Sequence, residues 1–452
     1  MATTPSPRIP LELCEEVIEC LPVKNDPDVD VEEQDRYFTL RQCALVCRTW
    51  LPLARSRIFR VVHLSYNKGT QLLELLNLNP TLSQYMTIIV VTGPGRLGGC
   101  PLELVAELAP KLTATKTLKI IGGALYHDTW MSDWELESFL KLQEAILPIL
   151  AAPLLTTVAL QNILTTEDDF LKLISIPPLV TLRLENIRLI SKAVQGRDES
   201  VPPTEHRLAI SALGLHSQDA TLAGWLFRPS CPLHVAALRE LSIGVQDIGN
   251  IHDFLPLLNA IGSSLKEFGL RLPNRCDFRE YRRFSSIFDA IPILPNAHIE
   301  HIAVYGFDRR DPSIGSYSKQ FDGSELVKCL LLRLSAPQRL RMVTIHENVQ
   351  ILWRNAEEFP KLQWHNWRAV DEVLAQASFS DVKRLDFVAG LNSLGLECET
   401  VRSCVSSQFP AFRERKGAVF NLTVDYTSLA WDRAQAARDE MYYNDVSGEA
   451  SD

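Results

Sequence analysis

The chain has 452 residues, 46% of them hydrophobic and 22% charged, with a formal net charge of −9. That is globular composition with ample material for a large core, and its acidic balance excludes a nucleic-acid footprint at the level of the whole chain. The N-terminus lacks an apolar signal core, and the longest apolar run, 145–155, contains two prolines and falls well short of the roughly twenty residues of a membrane span. A soluble protein of the cytoplasm or nucleus, with no membrane partner, is therefore expected.

The first organised stretch is residues 9–59. Leu13, Val17 and Leu21 recur at four-residue steps, which predicts one helical stripe. Pro10 stands where a helix can begin, since its missing donor costs nothing there. Residues 22–36 form an acidic loop holding Asp26, Asp28, Asp30, Glu32, Glu33 and Asp35. A second stripe takes Leu40, Cys43, Ala44 and Cys47, and Trp50, Leu51, Ala54 and Ile58 continue it past Pro52. Two or three short helices result. A unit this small is marginal alone, and it holds more large apolar side chains than one internal core needs. Val46, Trp50, Leu51 and the Pro10–Leu11 pair are left over. Such a surplus marks a partner-binding face, or else it packs onto the rest of the chain.

These residues resemble an F-box. The family pattern opens on Leu-Pro-x-Glu-Leu/Ile and closes on Cys-x-x-Val-Cys/Ser-Arg/Lys-x-Trp. Here stand Pro10, Leu11, Glu12, Leu13, Ile18 and Leu21, then Cys43, Ala44, Leu45, Val46, Cys47, Arg48, Trp50, Ala54 and Phe59. Ile9 replaces the usual Leu, and the intervening loop is longer than usual. The style is similar to the large F-box families of mushroom-forming fungi, although the likeness covers only about an eighth of the chain. The resemblance implies docking on a Skp-type adaptor, and through it on cullin, in a ubiquitin ligase. It implies Pro10, Leu11, Leu13, Ile18, Val46, Trp50 and Leu51 among the adaptor-facing residues, with Val17, Leu21 and Ala44 inside. Periodicity does not settle which stripe faces which way. On this reading the chain supplies no catalytic residue and needs no cofactor. One rival is a scaffold that docks the adaptor without ubiquitin transfer.

Beyond residue 60 a short phrase recurs, apolar-x-x-apolar-x-apolar. Leu155/Val158/Leu160 and Leu179/Leu182/Leu184 are followed by Ile210/Leu213/Leu215, Leu238/Leu241/Ile243, Leu265/Phe268/Leu270 and Ile299/Ile302/Val304. Leu340/Val343/Ile345, Val382/Leu385/Phe387 and Val419/Leu422/Val424 complete the series; looser copies lie at 88–90 and 118–120, and a strand at 60–64 begins it. The last two positions alternate, which places them on one face of a strand. Helical segments at 102–108, 134–147, 251–261, 324–334 and 367–377 lie between. The phrase resembles the first half of a leucine-rich repeat, though the steps are irregular. The asparagine ladder is mostly absent: Asn348 has the expected offset, while Asn162 and Asn186 are one residue short. The fold class expected is α/β, an all-helical segment at 1–59 followed by a leucine-rich-repeat-like solenoid at 60–430. Stacked strand–helix units would place a parallel sheet on the concave face, as a target-binding surface. Residues 431–452 form an acidic, partly disordered tail. A doubly wound α/β domain remains the alternative.

Chemistry-bearing motifs are sparse. The ten cysteines are scattered, with no C-x-x-C pair and no histidine at zinc spacing, so no metal is expected and they read as reduced core residues. Gly93, Gly95 and Gly98 mimic a dinucleotide fingerprint, but Pro94 interrupts it and no acidic residue closes the next strand. A nucleotide-dependent enzyme using loop 93–98 is the second rival; a glycine-rich connection is the simpler reading. Arg275, Arg279, Arg282 and Arg283 form a basic loop that is either solvated or a patch for an acidic or phosphorylated target. Trp353, Trp364 and Trp367 either pack over the repeat core or anchor a target.

Overall fold

The computed structural model describes residues 33–46, 50–93, 99–122, 133–190, 208–216, 222, 225–226, 231, 233–244, 254–271, 298–309, 323–349, 366–391 and 398–426. Among them twelve strands follow one another in the order of the chain. The chain divides into two compact units. One comprises Met1–Lys119, Lys141–Leu155 and Ser428–Asp452; the other comprises Ile120–Leu140 and Thr156–Thr427.

The first unit begins with helices α1 (Glu33–Val46) and α2 (Trp50–Ile58). Helix α1 takes in residues 33–36 of the expected acidic loop. Helix α2 runs through Pro52, whose missing donor falls in the first turn where no partner exists. Leu40 and Ala54 are the buried apolar residues of this pair. Strand β1 (Val61–Leu64) then pairs in parallel with β2 (Ile88–Thr92). Helix α3 (Tyr66–Leu78) lies between them in the chain, and α4 (Leu102–Leu108) follows β2. Gly69 permits their close approach, since a Cβ there would come within 2.6 Å of Leu104 Cδ2. Cys100 is buried beside them, and burial pushes its thiol up to about 11, so it acts as a small hydrophobe. Strand β3 (Thr117–Ile121) starts with Lys116 and Thr117 both donating to the Thr87 carbonyl. Helix α5 (Asp133–Leu150) buries Leu142, Ile146 and Ile149.

The second unit carries β4 (Thr157–Thr166), β5 (Thr181–Ile190), β6 (Ala212–His216), β7 (Glu240–Gly244) and β8 (Glu267–Arg271). Strands β9 (His301–Arg309), β10 (Met342–Val349), β11 (Arg384–Leu391) and β12 (Val419–Tyr426) continue it. Every successive pair is parallel. Its helices are α6 (Glu167–Ser175), α7 (Leu255–Ile261), α8 (Gly323–Leu332), α9 (Trp367–Leu374), α10 (Cys398–Ser406) and α11 (Pro410–Glu414). One backbone device opens most strands. Two successive amides share one carbonyl of the preceding repeat: Ser211 and Ala212 on Val180, Arg239 and Glu240 on Ser211, Lys266 and Glu267 on Arg239. Glu300 and His301 on Lys266, Arg341 and Met342 on Glu300, and Lys383 and Arg384 on Arg341 continue it. This equivalence, together with the parallel open sheet, makes the unit a leucine-rich-repeat-like array rather than a doubly wound domain.

The recurring phrase supplies the core. Leu182 and Leu184, Leu213 and Leu215, Leu241 and Ile243, and Leu385 and Phe387 all point inward and are buried. The last copy is displaced by two residues from its expected position. Phe420 pairs with Leu385 and Leu422 with Phe387, whereas Val419 pairs with Arg384 and is 51% exposed. Alternation alone cannot fix register when apolar residues occupy 419, 420, 422 and 424.

The two asparagines that looked one residue short bond to each other, although the ladder does not extend beyond this pair among the described residues. Asn162 and Asn186 both adopt left-handed backbone, with φ of 54° and 50°, and Asn186 Nδ2 donates to Asn162 Oδ1 at 2.9 Å. Asparagine tolerates this conformation because its short amide bonds locally. Asn186→Ala is expected to lower stability by about 2 kcal/mol through left-handed strain and the lost bond, and Asn186→Gly by less. Urea midpoints of the three proteins check this.

Candidate binding face of the sheet

Strands β4 to β12 display their alternate residues on the face opposite the buried leucines. Register aligns these into three rows. The first reads Thr157, Thr181, Ala212, Glu240, Glu267, His301, Met342, Arg384, Val419. The middle row reads Ala159, Arg183, Gly214, Ser242, Gly269, Ala303, Thr344, Asp386, Asn421. The third carries Gln161, Glu185, His216, Gly244 and Arg271, then Tyr305 on β9 and His346 on β10.

Side chains lean across this face onto small neighbours. The Arg183 stem covers Gly214, where a Cβ would lie 3.3 Å from Arg183 Cγ. The His216 ring covers Gly244, where a Cβ would lie 2.8 Å from it, and His216 Nε2 is hydrogen-bonded to Ser242 Oγ at 3.2 Å. Further along, His301 bonds Thr344 Oγ1 through Nε2 at 2.9 Å and faces Glu267 Oε2 through Nδ1 at 3.5 Å. Tyr305 stacks on His346 with ring centroids 4.5 Å apart. Beyond them Asp386 accepts from Arg384 Nε and from Asn421 Nδ2, each at 2.8 Å.

The electrostatics follow from this packing. Burial, then Arg271 and Arg183, push His216 down to about 4, so its ring is neutral at pH 7. Burial and the Glu267 carboxylate push the Tyr305 hydroxyl upward. The result is a face whose exposed groups are mainly charged, Arg183, Glu240, Glu267, Arg271 and Arg384, set around a central row of mostly small, partly covered residues. A separate open hollow of about 340 Å³ lies at the β12 end, lined by Arg402, Ser406, Arg413, Ala418, Phe420 and Leu422.

No known family model matches this chain, and no curated protein matches it. Two solved structures are similar in course. The leucine-rich repeat-containing protein LegL7 from Legionella pneumophila is 15% identical, with a TM-score of 0.38, over 77% of this chain and 90% of that one. An internalin, InlF, from Listeria monocytogenes is 12% identical, with a TM-score of 0.27, over 81% of this chain and 78% of that one.

Of the residues singled out from sequence, Pro10, Leu11, Leu13 and Ile18 lie outside the described residues, as do Arg275, Arg279, Arg282, Arg283, Trp353 and Trp364. Val46 ends α1, and Trp50 and Leu51 are half-buried at the start of α2. Trp367 is corrected as a target anchor. It is fully buried, its Nε1 donates to Glu347 Oε2 at 3.0 Å, and its ring meets Phe387 edge-on at 5.4 Å. A side chain with no accessible surface cannot seat a partner. Of the glycine loop, Gly93 follows β2 and residues 94–98 lie outside the described residues. Among the described residues no helix is long and apolar enough to cross a membrane. Sequence reasoning missed the open-face rows. Their signal was the residue between the last two apolar positions of each phrase, which is Gly, Ser or Ala in four successive strands, β6 to β9.

Proposed function

We propose that this chain is a protein-binding scaffold in which the open face of β4 to β12 holds a target protein. The nine-strand parallel sheet, whose open face exposes Arg183, Glu240, Glu267, Arg271 and Arg384, is the observation that carries the reading. Rigid strands present many side chains at fixed spacing, so recognition costs little ordering entropy.

The finer reading is that the N-terminal helices dock a Skp-type adaptor, making the chain the substrate-recognition subunit of a cullin-based ubiquitin ligase. The F-box-like residues motivate it. Leu45, 78% exposed on α1, and the half-exposed Trp50 and Leu51 on α2 support it as apolar surface that the helices do not cover themselves. Function would then lie in placement: target and ubiquitin-carrying enzyme become neighbours on one scaffold at raised effective concentration.

Co-purification with a Skp-type adaptor tests it. The full chain is expected to elute with the adaptor, and the Leu11→Ala, Trp50→Ala double variant to elute alone with its repeat array still folded. A full chain that ignores the adaptor removes the ligase reading. Adaptor capture without cullin recovery, or without ubiquitin appearing on a bound protein, supports the non-ligase scaffold instead.

A further inference from the structure

The open face separates its charges in a way the fold does not require. Glu240 and Glu267 stand directly opposite each other on neighbouring parallel strands, both exposed. Adjacent strands are about 4.8 Å apart, and like charges in register weaken a sheet. His301 faces Glu267, while among the described residues no cation pairs with Glu240. Opposite charge lies at the far end of β8 and on β5. Arg271 ends β8, and Arg183 reaches over Gly214 from β5; both depress the protonation of His216, which places them on one side of the face. Both arginines are exposed, and among the described residues neither forms an ion pair with a carboxylate. Glu185 stands two residues beyond Arg183 on the same face of β5, so Arg271 is the less balanced of the two cations.

Between the two poles lie Gly214, Ser242, Gly269 and Ala303 in register across β6 to β9. None raises a long side chain of its own, and neighbouring side chains lie down over them, so this stretch is a low, covered strip between the exposed charges of the outer rows. Glu267 and Arg271 sit four residues apart on one strand, which places their backbones about 13 Å apart.

We propose that this face binds a segment of a partner protein that presents a lysine or arginine to Glu240 and Glu267 and an aspartate or glutamate to Arg271, about 13 Å along β8 from Glu267, with Arg183 reaching toward the same side from β5. This rests on the scaffold reading and names the chemistry of its target. The partner's cation relieves the repulsion between the two glutamates, and its carboxylate pairs with Arg271, which among the described residues has no carboxylate partner. A partner of one sign only is rejected by the opposite pole, so the face selects for pattern as well as charge.

A random-peptide display library screened on the purified full-length chain tests the pairing. Enriched peptides are expected to carry one basic and one acidic residue at a constant separation. Glu240→Gln with Glu267→Gln should weaken such a peptide roughly tenfold and remove the basic requirement alone. Arg183→Gln with Arg271→Gln should do the same for the acidic requirement alone. Glu240→Gln should also raise the melting temperature of the free protein slightly, which confirms that the variant is folded. Enriched peptides without both charges, or peptides indifferent to these substitutions, overturn the pairing while leaving the scaffold reading standing. Absence of any enrichment overturns the pairing, and the adaptor experiment then judges the wider reading separately.

Discussion

Replacing Trp367 with alanine is expected to lower stability by about 4 kcal/mol, the largest loss we anticipate from one substitution. The indole is wholly enclosed where α9 packs on the sheet. It opens a relay of rings: Trp367 on Phe387 at 5.4 Å, Phe387 on Phe409 at 5.9 Å, and Phe409 on Phe420 at 5.4 Å. Alanine leaves a cavity at the head of that relay, and close packing cannot collapse to fill it. It also withdraws the Nε1 donor from the buried Glu347 carboxylate. Trp367→Phe keeps most of the ring and removes the donor, so about 2 kcal/mol is expected there. Equilibrium urea unfolding of the two variants separates packing from hydrogen bonding. A loss under about 1 kcal/mol for the alanine variant would show that this indole is not a core element.

Acid is expected to weaken the protein through His216 by about 3 kcal/mol between pH 7 and pH 4. In the folded chain its pKa is pushed down from 6.5 to about 4 by burial and by Arg271 and Arg183. As pH falls through 6.5 the unfolded chain takes a proton that the folded chain refuses. Stability attached to this ring is therefore full above pH 6.5 and is lost as pH falls toward 4. His216→Gln does not titrate, so the gap between wild type and variant should narrow or reverse on acidification. Denaturation at pH 7.5 and pH 4.5 measures that gap, and an imidazole NMR titration centred near 6.5 would refute the burial argument.

Much of the strand architecture was legible because the phrase encodes a physical necessity. Two inward apolar residues with one outward residue between them can only be a strand with one buried face, and eight full copies from Val158 to Leu385 fall in register as read. Register failed at β12, where Phe420 was an equally apolar neighbour of Val419. The Asn162–Asn186 pair was missed because both were counted along an ideal strand, while left-handed backbone at both lets their amides meet. Trp367 was ambiguous because tryptophan serves cores and interfaces alike; its neighbours on β10 and β11, more than twenty residues distant from each other, decide the matter. The binding face was least legible. Gly214, Ser242 and Gly269 carry no hydropathy signal, and the opposition of Glu240 to Glu267 exists only once the strands are paired.

The shared-carbonyl device has a bearing on how the array comes together. Each strand from β5 onward needs only the strand laid down before it, because its opening amides find their acceptor one repeat back. A nascent chain can thus grow this sheet rung by rung as it leaves the ribosome, without waiting for a distant closing segment. Pulling on the carboxyl end should accordingly peel β12 away first, in steps, where a closed barrel would burst at once.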